Sequence, residues 1–332
     1  MNELSAVQNV VDEFQSSVNE IITEIQRIMV GQEQLIHDLL VALLAGGNVL
    51  LEGVPGLGKT LLIRSLARTI DSGFSRVQFT PDLMPADIIG TTIITETEEG
   101  HRGFKFERGP VFTNLLLADE INRAAPRTQS ALLEAMQENN VTVAGQTYPL
   151  PKPFFVLATQ NPIEMEGTYP LPEAQLDRFL YKIDVFSPSE QELIDIARRT
   201  TGTNIPEIKI VTTGEKIIQM QQLIKEVPVE DRVYKYAAQI IRATHLQDPL
   251  APKIIAKHLR LGISPRGIQA LIRTGRVEAL MDNRKAVSID DIRKVAYPAL
   301  RHRMILNYEA QAEGIPADSI LDEVLSAIPV PR

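Results

Sequence analysis

The chain has 332 residues, 44% of them hydrophobic and 23% charged, so it is long enough for about two globular domains and unlike a disordered protein. It has no cysteine, which excludes disulfides and thiolate metal sites and favours a reducing compartment, expected here to be the cytoplasm. The net charge of −8, without a long basic run, argues against general nucleic-acid binding.

Residues 1–30 are predicted to form an N-terminal helix. In MNELSAVQNVVDEFQSSVNEIITEIQ acids come early and apolar residues recur at helical spacing, unlike a signal peptide. The most apolar window, LLVALLAGGNVLLEGV, is interrupted by Gly46, Gly47 and Asn48 and is too short and too polar to cross a bilayer. We therefore expect no membrane insertion.

Residues 31–186 alternate between short apolar strands and helices. Helices are predicted over 32–44 and 61–70, with the strand NVLLE and the loop GVPGLGKT between them. Further apolar runs, SRVQFT, NLLLAD, FFVLATQ and FLYKIDV, alternate with helical stretches such as 127–138. This pattern predicts an α/β domain in which helices cover both faces of a parallel sheet.

Two segments do not fit this alternation. The stretches TTIITETEEGHRGFKFERG and VTVAGQTYPLPKP each contain a glycine turn between strand-like residues. They predict small hairpins, at about 91–106 and 141–150, inserted between elements of the sheet.

The pattern changes near residue 187. The segment SPSEQELIDIARR predicts a helix with Ser187 as N-cap, Pro188 at its first position and Glu190 completing a capping box. Further helices are predicted over 214–225, 230–246, 264–281 and 288–302. Because no strand is recognised there, residues 187–332 are predicted to form a second, helical domain.

The loop GVPGLGKT matches the phosphate-loop pattern G-x-x-x-x-G-K-[ST]. Its glycines let backbone N–H groups close around phosphate oxygens, Lys59 brings a positive charge to the β and γ phosphates, and Thr60 offers a hydroxyl to Mg²⁺. The residues expected to contact the nucleotide here are Gly53, Pro55, Gly56, Gly58, Lys59, Thr60 and Leu61. The cofactors predicted are ATP and Mg²⁺.

Two adjacent carboxylates, Asp119 and Glu120, end the aliphatic run LLLAD. Adjacent anions at a buried strand end repel each other unless a cation and water stand in front of them. Asp119 is suited to holding the Mg²⁺ shell through water, and Glu120 to polarising an attacking water. That role for Glu120 favours an ATPase over a small-metabolite kinase, although an acidic turn after an edge strand is the alternative.

Three further polar residues are candidates for the site. Asn161 follows the strand FVLATQ and could orient the water, or could merely open an Asn-Pro turn. Arg178 in PEAQLDRF could stabilise transition-state charge, even in a neighbouring subunit, or could form a local salt bridge. Arg266 follows Ser264 and Pro265 in the first turn of a helix, where a cation opposes the helix dipole, so it either meets an external anion or is a surface residue.

Taken together, these motifs resemble the MoxR family of AAA+ ATPases, in the group with an insertion in helix 2. The resemblance covers about 25 to 330 and is most specific in EGVPGLGKT, LLLADEINRA, EGTYPLPEAQLDRF and SPRG. It implies a P-loop NTPase three-layer αβα parallel sheet with hairpin insertions, followed by an all-α lid.

The resemblance also implies a role for each residue. Walker A would include Lys59 and Thr60, Walker B would be Asp119 and Glu120, sensor 1 Asn161, the arginine finger Arg178 and sensor 2 Arg266. Whether Arg266 acts in its own subunit or in trans stays open. The segment IMVGQ resembles the lining of the adenine site, with Val30 and Gly31 closest.

The implied function is chaperone-like remodelling by a homo-oligomeric ring, expected to be a hexamer. Similar proteins assist the maturation of enzymes or metal cofactors, often with a von Willebrand factor A domain partner and a client protein. A nucleic-acid motor or loader, a metal-chelatase subunit and a nonenzymatic nucleotide-binding scaffold are the alternatives.

Overall fold

A computed structural model describes residues 3–54, 56–96, 102–161, 167–201 and 207–330. The strands, numbered along the chain, are β1 (Val49–Glu52), β2 (Phe74–Gln78), β3 (Gly90–Glu96), β4 (Arg102–Arg108), β5 (Leu115–Asp119), β6 (Asn140–Val143), β7 (Gln146–Pro149), β8 (Phe155–Gln160), β9 (Tyr181–Asp184), β10 (Leu259–Leu261) and β11 (Ile305–Leu306). The helices are α1 (Glu3–Gln26), α2 (Glu33–Leu44), α3 (Lys59–Thr69), α4 (Pro85–Ile89), α5 (Pro126–Glu138), α6 (Glu173–Leu176), α7 (Glu190–Thr200), α8 (Gly214–Glu226), α9 (Asp231–Ala243), α10 (Lys253–His258), α11 (Pro265–Met281), α12 (Ile289–Leu300), α13 (Tyr308–Ala312) and α14 (Ala317–Ala327), with 3-10 turns at Ile121–Arg123 and Arg301–Arg303.

The central sheet contains five parallel strands in the order β2-β5-β8-β1-β9. Each corresponds to a predicted strand, and β1, β5 and β8 are apolar runs buried on both faces, as is typical of parallel sheets. Val49 and Leu51 of β1 pack in one core with α2 and α3, whereas Leu50 packs in the other core with α5. The prediction of a sheet covered by helices on both faces is confirmed.

The two ends of these parallel strands define opposite edges of the sheet. The loop 53–58, Asp119 and Asn161 follow or end β1, β5 and β8, so they share the carboxyl edge. Asn48 and Arg178 precede β1 and β9, whose residues pair in parallel, so they lie toward the amino edge. The phosphate loop and Arg178 therefore lie toward opposite edges of the sheet.

Both predicted hairpins form antiparallel pairs, β3 with β4 and β6 with β7. The tip of the first hairpin, 97–101, lies outside the described residues. Phe106 of the first hairpin stacks on Tyr148 of the second, with ring centroids 4.3 Å apart. Ile94 and Phe104 face each other across the first hairpin and are 66% and 82% exposed, so this hairpin presents an apolar surface to solvent.

The C-terminal part is helical, with α11 packed against α1, α2, α8, α9 and α12. All four predicted helical segments are found there, at α8, α9, α11 and α12. A short antiparallel pair, β10 with β11, was not predicted. Strands of three and two residues are too short to show an alternating pattern in sequence.

The predicted start of α7 was wrong. Its N-cap is Ser189, not Ser187, and Glu192 completes the capping box in place of Glu190. The Oε2 of Glu192 accepts the backbone N–H of Ser189 at 2.7 Å. Both serines have a glutamate three residues later, and a proline can directly follow an N-cap, as Pro265 follows Ser264 in α11, so the local signal does not separate the two. The second pair has a further contact, since Glu192 also accepts a hydrogen bond from the backbone N–H of Gln32.

Helix α1 belongs to the same core as α2 and α3, through residues such as Ile21 and Ile25. Among the residues described, none of the helices combines the length and the apolar character needed to cross a bilayer. The division of the chain into 1–30, 31–186 and 187–332 stays a prediction.

Candidate active site

A cavity of about 240 Å³ opens at the carboxyl edge of the sheet. Its lining residues are Gly53, Gly56, Gly58, Lys59, Thr60, Arg76, Gln78, Asp119, Glu120, Thr159 and Asn161. The structure therefore brings the predicted loop, both carboxylates and Asn161 together. Pro55 lies outside the described residues, and Leu61, on α3, is 42% exposed.

Two glycines give the loop its shape. Gly58 has φ +75° and immediately precedes α3, a left-handed conformation that side chains other than glycine adopt at a cost. A Cβ on Gly53 would lie 2.8 Å from the backbone oxygen of Val185, so only glycine allows the loop to approach β9 this closely. Gly53 and Gly58 are therefore required by backbone geometry.

Lys59 is buried inside the loop, where its Nζ donates a 2.6 Å hydrogen bond to the carbonyl oxygen of Gly53. Burial lowers the pKa of Lys59, and the charges of Asp119 and Glu120 oppose that shift. The two carboxylates thus help to keep an ammonium group charged at the position where phosphate would bind.

A hydrogen-bond network holds the two carboxylates. Asp119 Oδ1 accepts from Thr159 Oγ1 at 2.7 Å, and Asp119 Oδ2 accepts from Arg76 Nη2 at 2.7 Å. Thr159 Oγ1 also accepts the backbone N–H of Glu120 at 2.8 Å. Glu120 Oε2 accepts from Gln78 Nε2 at 2.7 Å. Each acid therefore has a fixed orientation at the mouth of the cavity.

Sequence reasoning missed Arg76, Gln78 and Thr159. Gln78 lies beside Asp119 in the register of β2 and β5, and Thr159 lies on the next strand, β8. The segment SRVQFT was recognised as a strand, but its position next to β5 depends on strand order. No local pattern specifies that order, so these partners could not be named.

The residues present fit a magnesium-bound nucleoside triphosphate. The space around Gly56 is open, since no atom lies within 4 Å of the Cβ it lacks. The N-terminal turn of α3 favours anions, and Thr60 and Asp119 offer the oxygen ligands that Mg²⁺ prefers. Within this set Lys59 and α3 are suited to the phosphates, and Thr60 and Asp119 to the metal.

The predicted adenine segment flanks the phosphate loop. The side chain of Met29, just before Val30, lies near Gly58, with its Cε 3.5 Å from the position a Cβ would take. The carboxylate of Glu192, on α7, occupies the space beside Gly31. Val30 and Gly31 thus lie between the phosphate loop and the first helix of the C-terminal part.

Arg178 and Arg266 line a different cavity, of about 340 Å³, together with Asn48. Both arginine side chains are exposed. Arg266 lies in the first turn of α11, where Ser264 is the N-cap as predicted. Because Asn48 and Arg178 belong to the amino edge of the sheet, these two arginines lie away from the phosphate loop of their own chain.

Known proteins match this arrangement. The chain matches the ATPase family associated with various cellular activities (AAA) over residues 48–181 and the AAA lid domain over residues 251–324. It is 45% identical over 312 residues to Chaperone MoxR1 of Mycobacterium tuberculosis, covering 94% of this chain and 81% of that protein. The chain belongs to the MoxR family of AAA+ ATPases.

Two further similarities extend over most of the chain. Protein MoxR of Paracoccus denitrificans is 32% identical, covering 92% of this chain and 93% of the relative. A crystal structure of a Cytophaga hutchinsonii protein, described as a candidate ATPase, superimposes with a TM-score of 0.92 at 40% identity over 99% of each chain. The protein is therefore a nucleotide-binding, chaperone-like MoxR ATPase with a helical lid.

Proposed function

We propose that this MoxR protein hydrolyses ATP with Mg²⁺ in a homo-hexameric ring, with each nucleotide between two subunits. The observation that carries this proposal is the separation of the predicted site residues. Lys59, Glu120 and Asn161 line the cavity at the carboxyl edge, whereas Arg178 and Arg266 line the cavity toward the other edge. A second subunit can supply both arginines, so we assign them to act in trans.

Within the site, each side chain has a distinct task. Lys59 would bind the β and γ phosphates, Thr60 would hold Mg²⁺, and Asp119 would hold it through water. When bound, Mg²⁺ neutralises phosphate charge. Glu120 accepts a proton from the attacking water, and Asn161 orients that water. Arg178 of the neighbouring subunit stabilises the negative charge that develops, with Arg266 beside it.

Hydrolysis is proposed to drive remodelling of a client complex in the cytoplasm, together with a von Willebrand factor A domain partner. The nucleotide would contact both the phosphate loop and the segment next to α7, so loss of the γ phosphate can change the angle between sheet and lid. The stacked hairpins, joined by Phe106 and Tyr148, would carry that movement to the client.

The test is affinity capture from the source cell with the Glu120→Gln variant in ATP. This variant should bind ATP but hydrolyse it very slowly, which prolongs client complexes. The matched control carries Lys59→Ala in addition and cannot hold ATP. Enrichment of a von Willebrand factor A protein with an enzyme complex, only in the single variant, supports the proposal. Enrichment of DNA-processing or chelatase subunits transfers the function to those alternatives.

A further inference from the structure

Asp177, the residue before Arg178, is held by the C-terminal helical part of the chain. Its Oδ2 accepts a hydrogen bond from Ser264 Oγ at 2.9 Å, and Arg266 Nη1 lies 3.8 Å from the same oxygen. Its Oδ1 forms an ion pair with Arg303 Nε at 3.0 Å. One carboxylate next to the candidate arginine finger therefore faces three groups of the lid.

Arg303 also donates hydrogen bonds to backbone carbonyl groups on both sides of Arg178. Its Nη2 donates to the carbonyl oxygen of Phe179 at 2.8 Å and to that of Asp177 at 3.4 Å, and its Nη1 donates to the carbonyl oxygen of Leu180 at 3.2 Å. The planar, rigid guanidinium group of arginine is better suited to making these several hydrogen bonds at once than the ammonium group of lysine is. The segment 177–180 is thereby fixed to the turn that follows α12.

The pair is buried on the lid side. The Arg303 side chain is 3% exposed and that of Asp177 is 20% exposed. Burial lowers the pKa of Arg303 to about 10, while Asp177 opposes the shift, so the guanidinium stays charged at neutral pH. Replacing a buried ion pair by apolar packing often costs no stability, whereas the planar, rigid guanidinium group constrains the geometry of the groups it binds. This pair is therefore better explained by the position it imposes than by stability.

We propose that Arg303 and Asp177 are positioning residues for Arg178, tying the segment that carries it to the lid. Arg178 then moves with the lid of its own subunit when it meets the ATP of the neighbouring subunit. The proposal rests on the proposed function, in which Arg178 acts in trans. Arg266 Nη1 lies 3.8 Å from Asp177 Oδ2, beyond hydrogen-bond distance. The Arg266 side chain can therefore turn toward a phosphate while Arg303 remains bound to Asp177.

The test compares Arg303→Met with Arg303→Lys in steady-state ATP hydrolysis. Displacing a catalytic group by about 1 Å can lower turnover about 100-fold, so kcat of Arg303→Met should fall by about that factor. Its KM for ATP should change less than about threefold, because its own phosphate loop is intact. Arg303→Lys keeps the charge and should recover part of kcat.

The matched control is His37→Leu. His37 Nε2 contacts Glu278 Oε1 at 2.7 Å and also joins the sheet domain to α11. Glu278 lies about 18 Å further along α11 than Arg266, from the helical rise. Losing this bond loosens the same two parts without touching the 177–180 segment, so kcat should stay within about twofold of wild type.

Mixing variants separates this proposal from the proposed function. Lys59→Ala subunits have a dead phosphate loop but an intact Arg178, so equal mixing with Arg303→Met should restore activity at about a quarter of the interfaces. Mixing Lys59→Ala with Arg178→Ala should give the same recovery. If Arg178→Ala recovers and Arg303→Met does not, the positioning role is overturned while action in trans stands.

Two other outcomes are also decisive. If kcat of Arg303→Met equals that of the wild-type protein, the positioning role is overturned directly. If neither mixture recovers ATPase activity, the action of Arg178 in trans is overturned. If Arg303→Met does not fold by circular dichroism, Asp177→Asn replaces it in the same assays, because it removes the charge while keeping the side-chain shape.

Discussion

Thr159 links the two carboxylates of the site through a single hydroxyl. It donates a 2.7 Å hydrogen bond to Asp119 Oδ1 and accepts a 2.8 Å hydrogen bond from the backbone N–H of Glu120. Glu120 has φ +56°, an uncommon conformation for a residue other than glycine. The hydroxyl therefore stabilises the turn that presents both acids to the cavity.

Thr159→Val should impair hydrolysis more than nucleotide binding. Valine has nearly the same shape but offers neither hydrogen bond, so Asp119 and Glu120 lose their common anchor. We expect kcat to fall about 10-fold or more, from the loss of about 1 to 2 kcal/mol of hydrogen bonding that positions them. Thr159→Ser, which keeps the hydroxyl, should retain most of the activity. Equal kcat in the two variants would show that the hydroxyl is not needed.

Gly58→Ala should weaken nucleotide binding. A Cβ at φ +75° costs about 1 kcal/mol, and relaxing that strain moves the N–H groups of the phosphate loop. Gly145→Ala is the matched control, since Gly145 has φ +81° in the turn of the second hairpin, away from the cavity. Calorimetric titration with ATP should show weaker binding in Gly58→Ala alone, although both variants lose similar stability. Equal ATP affinities of Gly58→Ala and Gly145→Ala would show that nucleotide binding does not depend on the backbone conformation of Gly58.

Asp38→Asn should stabilise the fold at neutral pH. Burial raises the pKa of Asp38 from its ordinary 3.8 to about 6, partly offset by a hydrogen bond from Gln34. The folded chain thus holds this proton more tightly than the unfolded chain, so the stability that Asp38 contributes is present below pH 4 and lost as the pH rises through 6. At pH 7.5 the ionised group costs on the order of 1 to 3 kcal/mol.

Thermal unfolding at two pH values checks this sign. Asparagine keeps the acceptor for Gln34 but never ionises, so Tm of Asp38→Asn should exceed that of wild type at pH 7.5. The difference should shrink strongly at pH 4.5. A raised pKa would be contradicted if Tm of Asp38→Asn were below that of wild type at pH 7.5. It would also be contradicted if the difference in Tm were the same at both pH values.

Much of the architecture could be predicted from the sequence because its signals are local. The aliphatic runs that became β1, β5 and β8 are buried on both faces, and the glycine loop between β1 and α3 carries its own conformational requirement. The hairpins were recognisable for the same reason, since a glycine turn between alternating residues predicts a paired structure.

The contacts that complete the site could not be predicted, because they join residues distant in sequence. Arg76 reaches Asp119 across 43 positions, and Arg303 reaches Asp177 across 126. Such pairs depend on strand order and on how the lid docks, and neither is specified by periodicity. The misplaced start of α7 has a different cause, since two serines carried the same capping signal and tertiary context selected the second.

The most direct test of the account is the ATPase rate per subunit over a dilution series, with the assembly state measured in parallel by analytical ultracentrifugation. Of the arginines described, the one lining the phosphate-loop cavity is Arg76, and it is already paired with Asp119. If Arg178 must come from a neighbour, turnover per subunit should fall in step with ring dissociation. Constant turnover in a fully dissociated monomer would contradict a site shared between subunits.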